Sequence, residues 1–339
     1  MQSATRSPPL PLRILGTGEY RPSQRIESTQ FDQRWGKPEG WTRRHVGIDH
    51  RYFAGADETA SRMAAAAARD ALARAGLAAE ELDAVVSVAG VMEQAIPCTA
   101  VLVHRELGLA GSGIPAFDVN ATCLGFLVAL DLVAAAMAVG RYRRVLLVAG
   151  EIASAGLDGS DEDTAALFGD GGAAVVLEAA APGDGSALLA THMETFSEGA
   201  EFCRVRAGGT RLRVADDPAA FLAASRFEMS GRATYRLAAQ KLPGFMRGLF
   251  QRAGVGVGDL ACMIPHQASV KALDHLQRAL RLPSDALVRI LETHGNQMAA
   301  SIPLALHHAI EAGRLRRGDL FAMVGSGAGL SFAGAVLRY

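Results

Sequence analysis

The chain has 339 residues, half of them hydrophobic and a fifth charged, an ordinary globular balance with enough length for two hydrophobic cores. The 34 basic and 35 acidic side chains nearly cancel, so the composition gives no broad positive surface for nucleic acid or for an anionic membrane. Met1 to Leu12 lacks the apolar core of a signal peptide. The most apolar stretch, Phe126 to Gly150, contains Asp131 and is predicted to be a buried helix and strand rather than a membrane span.

Alanine-rich helical segments alternate along the chain with short runs of β-branched residues. The predicted elements, in chain order, are helix 60–75, strand 82–89, strand 115–120, helix 124–139, strand 145–149, strand 173–177 and helix 301–311. Gly76 and Gly140 are expected to end the first two helices, because glycine readily adopts the left-handed conformation found there. Phe196 to Asp217 lacks periodicity and is predicted to run over the surface. The alternation predicts α/β layers.

The second half of the chain repeats the order of the first. In both halves a helix ends at Ala-Gly, after Arg74 and after Arg252, and a short acidic turn leads into a strand. Phe117-Asp-Val-Asn leads through a cysteine into a helix, and Val288-Arg-Ile-Leu leads through His-Gly-Asn into another helix. We interpret these echoes as two copies of one α/β unit, residues 1–183 and 184–339, joined at a stretch rich in Pro and Gly.

Four cysteines are widely spaced, without a CxxC metal or redox pair, so a reduced cytoplasmic setting is expected; they are Cys98, Cys123, Cys203 and Cys262. In Asn120-Ala-Thr-Cys123-Leu-Gly-Phe a strand ends, the cysteine follows and an apolar helix begins. The positive end of a helix lowers the pKa of a thiol, so the position favours a nucleophilic thiolate. The alternative is a small buried hydrophobic residue, as most free cysteines are.

Two polar side chains are predicted to join Cys123 where strands end. His266 follows the strand that ends at Ile264, and Asn296 precedes the helix at 301–311. Strand ends in a duplicated α/β unit gather at one edge of the sheets, where a thiol, an imidazole and an amide would share a pocket. Taken singly, a histidine such as His266 is more often structural, and the alternatives for Asn296 are a helix cap or a turn residue.

Two further patterns give less information about chemistry. The segment from Val324 to Leu330 lacks the Lys-Ser/Thr of a phosphate loop, and its small residues suit close backbone approach to a buried group. No metal site is predicted from the nine histidines, because His307 and His308 are adjacent on one helix and face different directions.

Together these segments resemble β-ketoacyl-acyl-carrier-protein synthase III, of the thiolase-like superfamily, over nearly the whole chain. The matching pieces are Trp41 with Gly47-Ile48, Asn120-Ala-Thr-Cys123-Leu-Gly-Phe, Phe168-Gly-Asp-Gly-Gly, Pro265-His-Gln-Ala, His294-Gly-Asn296 with Ala-Ala-Ser-Ile-Pro303, and the glycine-rich turn before Ala335-Val-Leu-Arg-Tyr339. The resemblance implies an α/β fold, a five-layered αβαβα sandwich built from two related halves, and usually a homodimer.

The resemblance also implies a catalytic set of Cys123, His266 and Asn296. Cys123 would take an acyl group from a thioester, with the backbone N–H groups of Cys123 and Ala328 holding the oxyanion. A malonyl thioester on acyl-carrier protein would lose CO2 while His266 and Asn296 stabilise its enolate, and condensation would follow. The expected partners are acyl-carrier protein and the acyl and malonyl thioesters, with coenzyme A as an alternative carrier. No metal or redox cofactor is required.

The carrier-binding residues depart from the family pattern. His45 stands where an arginine normally joins Trp41 in clamping adenine, and Arg44 lies beside it. Residues 161–163 are acidic where a second arginine is usual near the nucleotide phosphates. Carboxylates repel phosphate, so we expect a carrier-protein donor rather than acetyl-coenzyme A.

Four more substrate-binding residues follow from the same resemblance. Ser269 and Lys271 replace an asparagine and an arginine of the family, and Gly231 is assigned with them. Ile96 precedes Pro97 in a turn that reaches across the family's dimer and closes the partner's acyl tunnel. Phenylalanine is common there in short-chain enzymes, so the smaller Ile96 predicts a longer or flatter acyl group.

Other functions remain open at this point. Relatives that transfer the acyl group to a hydroxyl or amine, or that condense without decarboxylation, share the Cys-His-Asn set. Thiolase itself is disfavoured because it uses a second cysteine near the C-terminal glycine turn, where this chain has Gly325-Ser-Gly-Ala-Gly. A non-catalytic partner subunit is disfavoured because such chains typically lose the nucleophile or its partners, and this chain keeps all three.

Overall fold

The computed structural model describes residues 8–339, and part of the segment from Met1 to Leu12 lies outside them. The helices are α1 (Ser28–Arg34), α2 (Trp41–Val46), α3 (Ala60–Ala75), α4 (Thr99–Glu106), α5 (Gly125–Ala138), α6 (Pro218–Ala224), α7 (Gly231–Ala253), α8 (Val270–Leu280), α9 (Leu291–His294) and α10 (Ser301–Glu311). The strands are β1 (Leu10–Pro11), β2 (Arg13–Tyr20), β3 (Gln24–Glu27), β4 (His50–Phe53), β5 (Ala84–Ser87), β6 (Ala116–Asp118), β7 (Arg144–Glu151), β8 (Gly171–Glu178), β9 (Ala187–Thr195), β10 (Cys203–Arg204), β11 (Glu228–Met229), β12 (Cys262–Pro265), β13 (Leu320–Gly327) and β14 (Ser331–Arg338).

Two five-stranded sheets share one plan. The first has the order β2-β8-β7-β5-β6 and the second β1-β9-β14-β13-β12. In the first sheet β5 is parallel to β7, and β8 is antiparallel to both β7 and β2. In the second β12 is parallel to β13, and β14 is antiparallel to both β13 and β9. The repeated order agrees with the predicted duplication. The boundary at residue 183 stays a prediction, and β1 of the N-terminal half pairs with β9 in the second sheet.

Helices occupy three layers around the two sheets. α5 contacts β7 of the first sheet and β14 of the second, and α10 contacts β8 of the first and β12 of the second. These two helices therefore form the central layer. α3 packs outside the first sheet, while α7, with α8 against it, packs outside the second. The result is the expected five-layered αβαβα sandwich.

Glycines on β2 let the alanine-rich α3 lie close to the first sheet. A Cβ on Gly16 would lie 2.2 Å from the carbonyl oxygen of Ala71, and a Cβ on Gly18 would lie 2.3 Å from that of Ala67. Both alanines are fully buried. The small residues on both elements therefore set a short distance between helix and sheet, which larger side chains would increase.

The long apolar stretch folds as predicted, with α5 followed by β7. Leu127, Leu130 and Val133 of α5 are buried against the core, as are the residues of β7 from Val145 onward. Within residues 8–339, no helix combines the length and the apolar character needed to cross a membrane.

Two sequence predictions are wrong in part. The strand implied from Val288 onward is not formed within the described residues; the segment has one isolated bridge, from Leu287 to Met263, and leads into α9. The reason is that the Gln267 side chain bonds the backbone of this segment: it donates to the Val288 carbonyl and accepts from the Ile290 and Leu291 amides. Residues 196–217 are also more than a surface excursion, because β10 pairs with β11 and lines an internal cavity.

Candidate active site

A cavity of about 350 Å³ lies where β12, β13 and the N-terminal end of α5 meet. Cys123, His266 and Asn296 all line it, and so does Ala328. His266 and Asn296 are each only 5% exposed, and Cys123 is half-buried because it faces this internal space. The structure therefore brings together the three residues that the sequence placed in one pocket, and with them Ala328, which the resemblance assigned to the oxyanion site.

A strained turn presents Cys123 to the cavity. Thr122 has a φ of 52°, in the left-handed region that residues with a Cβ seldom adopt. The Asn120 side chain accepts from the Thr122 amide at 2.8 Å and donates to the Gly90 carbonyl at 3.1 Å. α5 begins two residues after Cys123, at Gly125. The asparagine thus holds the turn in place and ties it to the loop at Gly90.

The pKa of Cys123 moves opposite to the prediction. Burial raises the pKa of the thiol to about 12, with the charge of nearby Glu151 as a second cause in the same direction. The start of α5 does not compensate, because the thiol lies in an enclosed space where a thiolate loses its hydration. Cys123 is therefore a neutral thiol at pH 7 and needs a base to become a nucleophile.

His266 is an imidazole that lines the same cavity as the thiol. Burial lowers its pKa to about 4, so the imidazole is neutral at pH 7. Its Nδ1 has no hydrogen-bond partner among the described residues. The neighbouring Gln267 fixes the chain here: it is fully buried, and its amide donates to the Pro265 carbonyl at 2.8 Å and accepts from the Ile290 and Leu291 amides. No pattern in the local sequence indicates this positioning role of Gln267.

Residues 168–171 hold Asn296 from the opposite side. Phe168 and Asn296 form an isolated β-bridge, with the Gly169 amide donating to the Asn296 carbonyl at 3.1 Å. The Asn296 side chain accepts from the Met298 amide at 2.9 Å, and its Nδ2 makes only a long 3.4 Å contact with the Ala268 carbonyl. The amide hydrogens of Asn296 are therefore only weakly committed to the protein and can donate into the cavity.

Glycines of β13 complete the wall beside Cys123. A Cβ on Gly325 would lie 2.9 Å from Leu124 and 3.0 Å from the Cβ of His266, and a Cβ on Gly327 would lie 2.9 Å from Thr122. The predicted close backbone approach at this segment is confirmed. It brings Ala328, the next residue, to the cavity beside the cysteine turn.

A buried carboxyl group supports the cavity from behind. Glu151, at the end of β7, is fully buried and accepts from the Gly90 amide at 2.6 Å and the Ala299 amide at 3.3 Å. Its Oε2 has no partner among the described residues. Burial raises its pKa to about 8, so the group carries a proton at pH 7. No sequence signal pointed to Glu151, because its burial depends on the packing of β7 against residues distant in sequence.

Residues 202–205 form a wall of the cavity, although the irregular sequence from Phe196 to Asp217 predicted a surface position for them. Phe202, Cys203 and Val205 all line the cavity. Cys203 contacts the Thr234 hydroxyl at 3.4 Å, and burial raises its pKa. The cavity thus contains a second thiol, which the irregular sequence around it gave no reason to expect.

Trp41 lies outside this cavity and its ring already has partners. The ring stacks on His45, with centroids 3.8 Å apart, and the Lys37 ammonium lies 4.8 Å from the ring centroid. Lys37 also forms a 3.0 Å ion pair with Glu162. The exposed Arg44 donates to the Glu39 carbonyl, at 3.4 Å. The predicted acidic run is therefore close to Trp41, while Arg44 does not stack on it.

The remaining predicted substrate contacts do not line the cavity. Ser269 caps α8 by accepting from the Ala272 amide at 3.2 Å, and Lys271 is exposed on the same helix. Gly231 is the first residue of α7, two residues after the cavity-lining Met229. Ile96 is 86% exposed on the loop before α4. Their roles in substrate binding stay predictions.

Comparison with known proteins gives the family. The model of 3-oxoacyl-[acyl-carrier-protein (ACP)] synthase III matches residues 117–197, and the model of that synthase's C-terminal part matches residues 250–339. β-Ketoacyl-[acyl-carrier-protein] synthase III of Ruegeria sp. (strain TM1040) is 34% identical and covers 96% of this chain and 98% of its own. Acetoacetyl CoA synthase NphT7 of Streptomyces sp. (strain CL190) has the same identity and coverage.

Solved structures agree with this assignment. The crystal structure of 3-oxoacyl-[acyl-carrier-protein] synthase III from Aquifex aeolicus VF5 superposes with a TM-score of 0.86 and is 33% identical, covering 97% of this chain and 100% of its own. Both sequence and fold therefore match over nearly the whole length. The chain belongs to the 3-oxoacyl-[acyl-carrier-protein] synthase III family of acyl-transferring condensing enzymes, within the thiolase-like superfamily.

Proposed function

We propose that the protein condenses an acyl group held on Cys123 with the enolate of a malonyl thioester, in fatty-acid or secondary-metabolite biosynthesis. The observation that carries the proposal is the shared cavity of Cys123, His266, Asn296 and Ala328. A thiol, an imidazole, an amide donor and a backbone N–H are the groups that acyl transfer and enolate stabilisation require. The four cysteines are free, as expected for the reduced cytoplasmic setting that we also propose.

In the first half-reaction the Cys123 sulfur attacks the thioester carbonyl. The thiol proton moves to the neutral His266, and a bond forms between sulfur and the carbonyl carbon. The bond to the carrier's sulfur then breaks, and that sulfur takes the proton back from His266, which returns to its neutral form. The backbone N–H groups of Cys123 and Ala328 stabilise the oxyanion while it exists. Because burial disfavours the free thiolate, the proton transfer and the attack are coupled in this scheme.

In the second half-reaction a malonyl thioester takes the place of the first carrier. His266 and Asn296 donate to its thioester carbonyl, the bond to the carboxylate breaks and CO2 leaves, and the electron pair becomes an enolate held by the two donors. The enolate carbon attacks the acyl carbonyl and displaces Cys123 as a thiolate, giving a β-ketoacyl thioester. The thiolate then takes up one proton from solvent, which restores the neutral thiol of the free enzyme. Each step uses groups that line the cavity.

The surroundings of Trp41 support acyl-carrier protein as the donor. An adenine ring must displace His45 or Lys37 to stack on Trp41. The carboxylate of Glu162, beside Lys37, would repel a nucleotide phosphate. A carrier protein brings pantetheine without adenosine. The name of the Streptomyces relative, an acetoacetyl CoA synthase, supports the opposite assignment, in which coenzyme A thioesters are used.

Exposed apolar residues support the proposed homodimer. They lie on the loop before α4, on α4 itself and on the open edge strand β6: Val91 (49% exposed), Met92 (49%), Ile96 (86%), Val101 (42%) and Phe117 (36%). The Asp118 carboxylate accepts from the first two amides of α4, so β6 and α4 are neighbours. Val91 also lines the cavity, so a second copy covering this patch would adjoin the acyl site.

The first prediction tests the nucleophile. Cys123→Ala should abolish acylation by acyl thioesters, while Cys98, Cys203 and Cys262 each changed to Ala should retain it, as measured by intact-mass spectrometry. Cys203 is the sharpest control because it lines the same cavity.

His266→Ala and Asn296→Ala should each lower condensation at least about tenfold to a hundredfold. Acyl mass on the Cys123→Ala protein would contradict the mechanism, and a wild-type protein without added acyl mass would indicate a non-catalytic partner subunit.

The second prediction concerns the donor. With one acyl group on both carriers, Cys123 should be acylated faster by the carrier-protein thioester than by the coenzyme A thioester. Glu162→Gln should raise the coenzyme A rate about fivefold, the equivalent of ~1 kcal/mol, because a repulsive charge near the phosphates is removed. Glu80→Gln, an exposed change remote in sequence, should alter neither rate. Equal wild-type rates, or a faster coenzyme A rate, would refute the donor assignment.

The third prediction tests Ile96 at the dimer contact. Ile96→Trp should shift the acyl preference toward the shortest donors, because the larger side chain would fill part of the partner's tunnel. Val139→Trp is a matched control, since Val139 is 81% exposed at the end of α5. The chain-length profile of Cys123 acylation measures the effect. An unchanged profile in the Ile96→Trp protein would reject the role of Ile96.

The fourth prediction follows from the proton on Glu151. Its folded pKa, about 8, lies above the ordinary value of 4.5, so keeping the buried group protonated costs free energy that grows as pH rises from 4.5 to 8. Wild type should therefore lose stability relative to Glu151→Gln between pH 5 and pH 8, by about 3–4 kcal/mol. Urea unfolding of both proteins across this range, at equal protein concentration, measures the difference. A difference that does not change with pH would mean that Glu151 is ionised in the folded protein.

A further inference from the structure

A second cluster of chemically active side chains lies apart from the cavity residues. Glu19 is on β2, His294 is the last residue of α9, and His308 is on α10. Ligand atoms of these three residues lie within 4.8 Å of one another. The cluster joins a strand of the N-terminal half to two helices of the C-terminal half.

His307 and His308 of α10 face different neighbours, as the sequence predicted, and His308 is the one that belongs to this cluster. His307 contacts the Thr17 hydroxyl at 3.0 Å. His308 places its Nε2 2.8 Å from a carboxylate oxygen, Oε2, of Glu19. The His308 and His294 rings are 5.0 Å apart, at 72° to each other. The prediction of no metal site considered only His307 and His308. The fold adds Glu19 from β2 and His294 from α9 to His308.

His294 has one ring nitrogen committed and one without a partner. Its Nδ1 lies 3.2 Å from the Ile290 carbonyl and 2.9 Å from the Thr293 hydroxyl. Since a carbonyl can only accept, the bond to Ile290 places the proton on Nδ1 and leaves a lone pair on Nε2. That Nε2 is buried and has no hydrogen-bond partner among residues 8–339, in a residue only 4% exposed. A buried acceptor without a donor is unfavourable, and a metal ion would satisfy it.

We propose that Glu19, His294 and His308 form a binding site for a divalent first-row transition cation such as Zn²⁺. Two imidazole nitrogens and one carboxylate oxygen are a ligand set that these cations accept, with solvent in the remaining position. Mg²⁺ and Ca²⁺ prefer oxygen ligands only, so the two histidines select against them. The hydrogen bond from His294 to the Ile290 carbonyl is the outer contact that commonly orients a metal-binding histidine.

The geometry is close to that needed for binding. Bonds of about 2.0–2.1 Å to a tetrahedral ion place ligand atoms roughly 3.4 Å apart, so atoms that now lie within 4.8 Å of one another must approach by at most about 1.4 Å. The Glu19 and His308 side chains are 22% and 29% exposed, which leaves them room to rotate and gives the ion a route from solvent. Arg21 binds the other carboxylate oxygen of Glu19 at 2.9 Å. It orients the carboxylate, while its positive charge opposes the cation and limits the affinity.

The test is calorimetric titration of the full-length protein with Zn²⁺, with Mg²⁺ as the control ion. Wild type should bind one equivalent of Zn²⁺ at this site and should not bind Mg²⁺ there. Glu19→Gln and His308→Gln should each weaken that binding at least tenfold, and both side chains are exposed enough for the variants to fold. His104→Gln, which removes a histidine from α4 that contacts Ser112, should bind as wild type does.

Thermal unfolding provides a second measurement. Zn²⁺ should raise the unfolding midpoint of wild type and His104→Gln but not of Glu19→Gln or His308→Gln, because binding to the folded state alone stabilises it. Zn²⁺ binding that survives both ligand substitutions would place the ion elsewhere, for example on the cavity thiols, and would overturn the proposal. Absence of Zn²⁺ binding to wild type, or equal loss in His104→Gln, would also overturn it.

Discussion

The cavity depends on one close contact, between residues 168–171 and residues 294–297. A Cβ on Gly169 would lie 2.1 Å from the His294 carbonyl oxygen, and a Cβ on Gly171 would lie 2.5 Å from the Gln297 side chain. The Gln297 amide donates to the Asp170 carbonyl at 2.8 Å across this contact. Side chains larger than hydrogen at the two glycines would push the segments apart. The position of Asn296 relative to the cysteine turn therefore rests on backbone packing between the two halves.

Burial then sets the charges of the cavity. It raises the pKa of Cys123 and of Glu151 and lowers that of His266, so all three are neutral at pH 7. Arg204 lines the cavity but forms ion pairs with Glu201 and Glu228. A neutral thioester enters such a site at little electrostatic cost. Among the described lining residues, no unpaired cation is available to a malonyl carboxylate. Loss of CO2 moves the negative charge to an enolate oxygen, which His266 and Asn296 can stabilise by hydrogen bonds. The same neutrality thus suits both proposed half-reactions.

The sequence was sufficient for features that depend on local pattern. α3 and α10 have the predicted bounds because an alanine-rich or apolar periodic run carries its own helix signal. The convergence of Cys123 and His266 followed from strand ends in a duplicated unit, whereas Asn296 reaches the same cavity after α9 rather than after a strand. The raised pKa of Cys123 could not be predicted from its place before a helix, because the dominant cause is enclosure by residues distant in sequence. Likewise nothing local indicated that Gln267 would bond the Val288 carbonyl and replace a strand, or that Cys203 would face the cavity.

His294 shows why such long-range features matter for the whole site. It lies two residues before Asn296, and its carbonyl is the atom that Gly169 approaches. Its ring points away from the cavity residues toward Glu19 and His308. The backbone of residues 294–296 therefore positions the proposed catalytic amide of Asn296, while the side chain of His294 lies against residues of β2 and α10. A cation bound by that ring would link the strand, the helix and the segment, and would restrict the motion of the backbone that carries Asn296. The proposed metal cluster and the proposed catalytic site are thus separate in their chemistry but are connected through two peptide bonds.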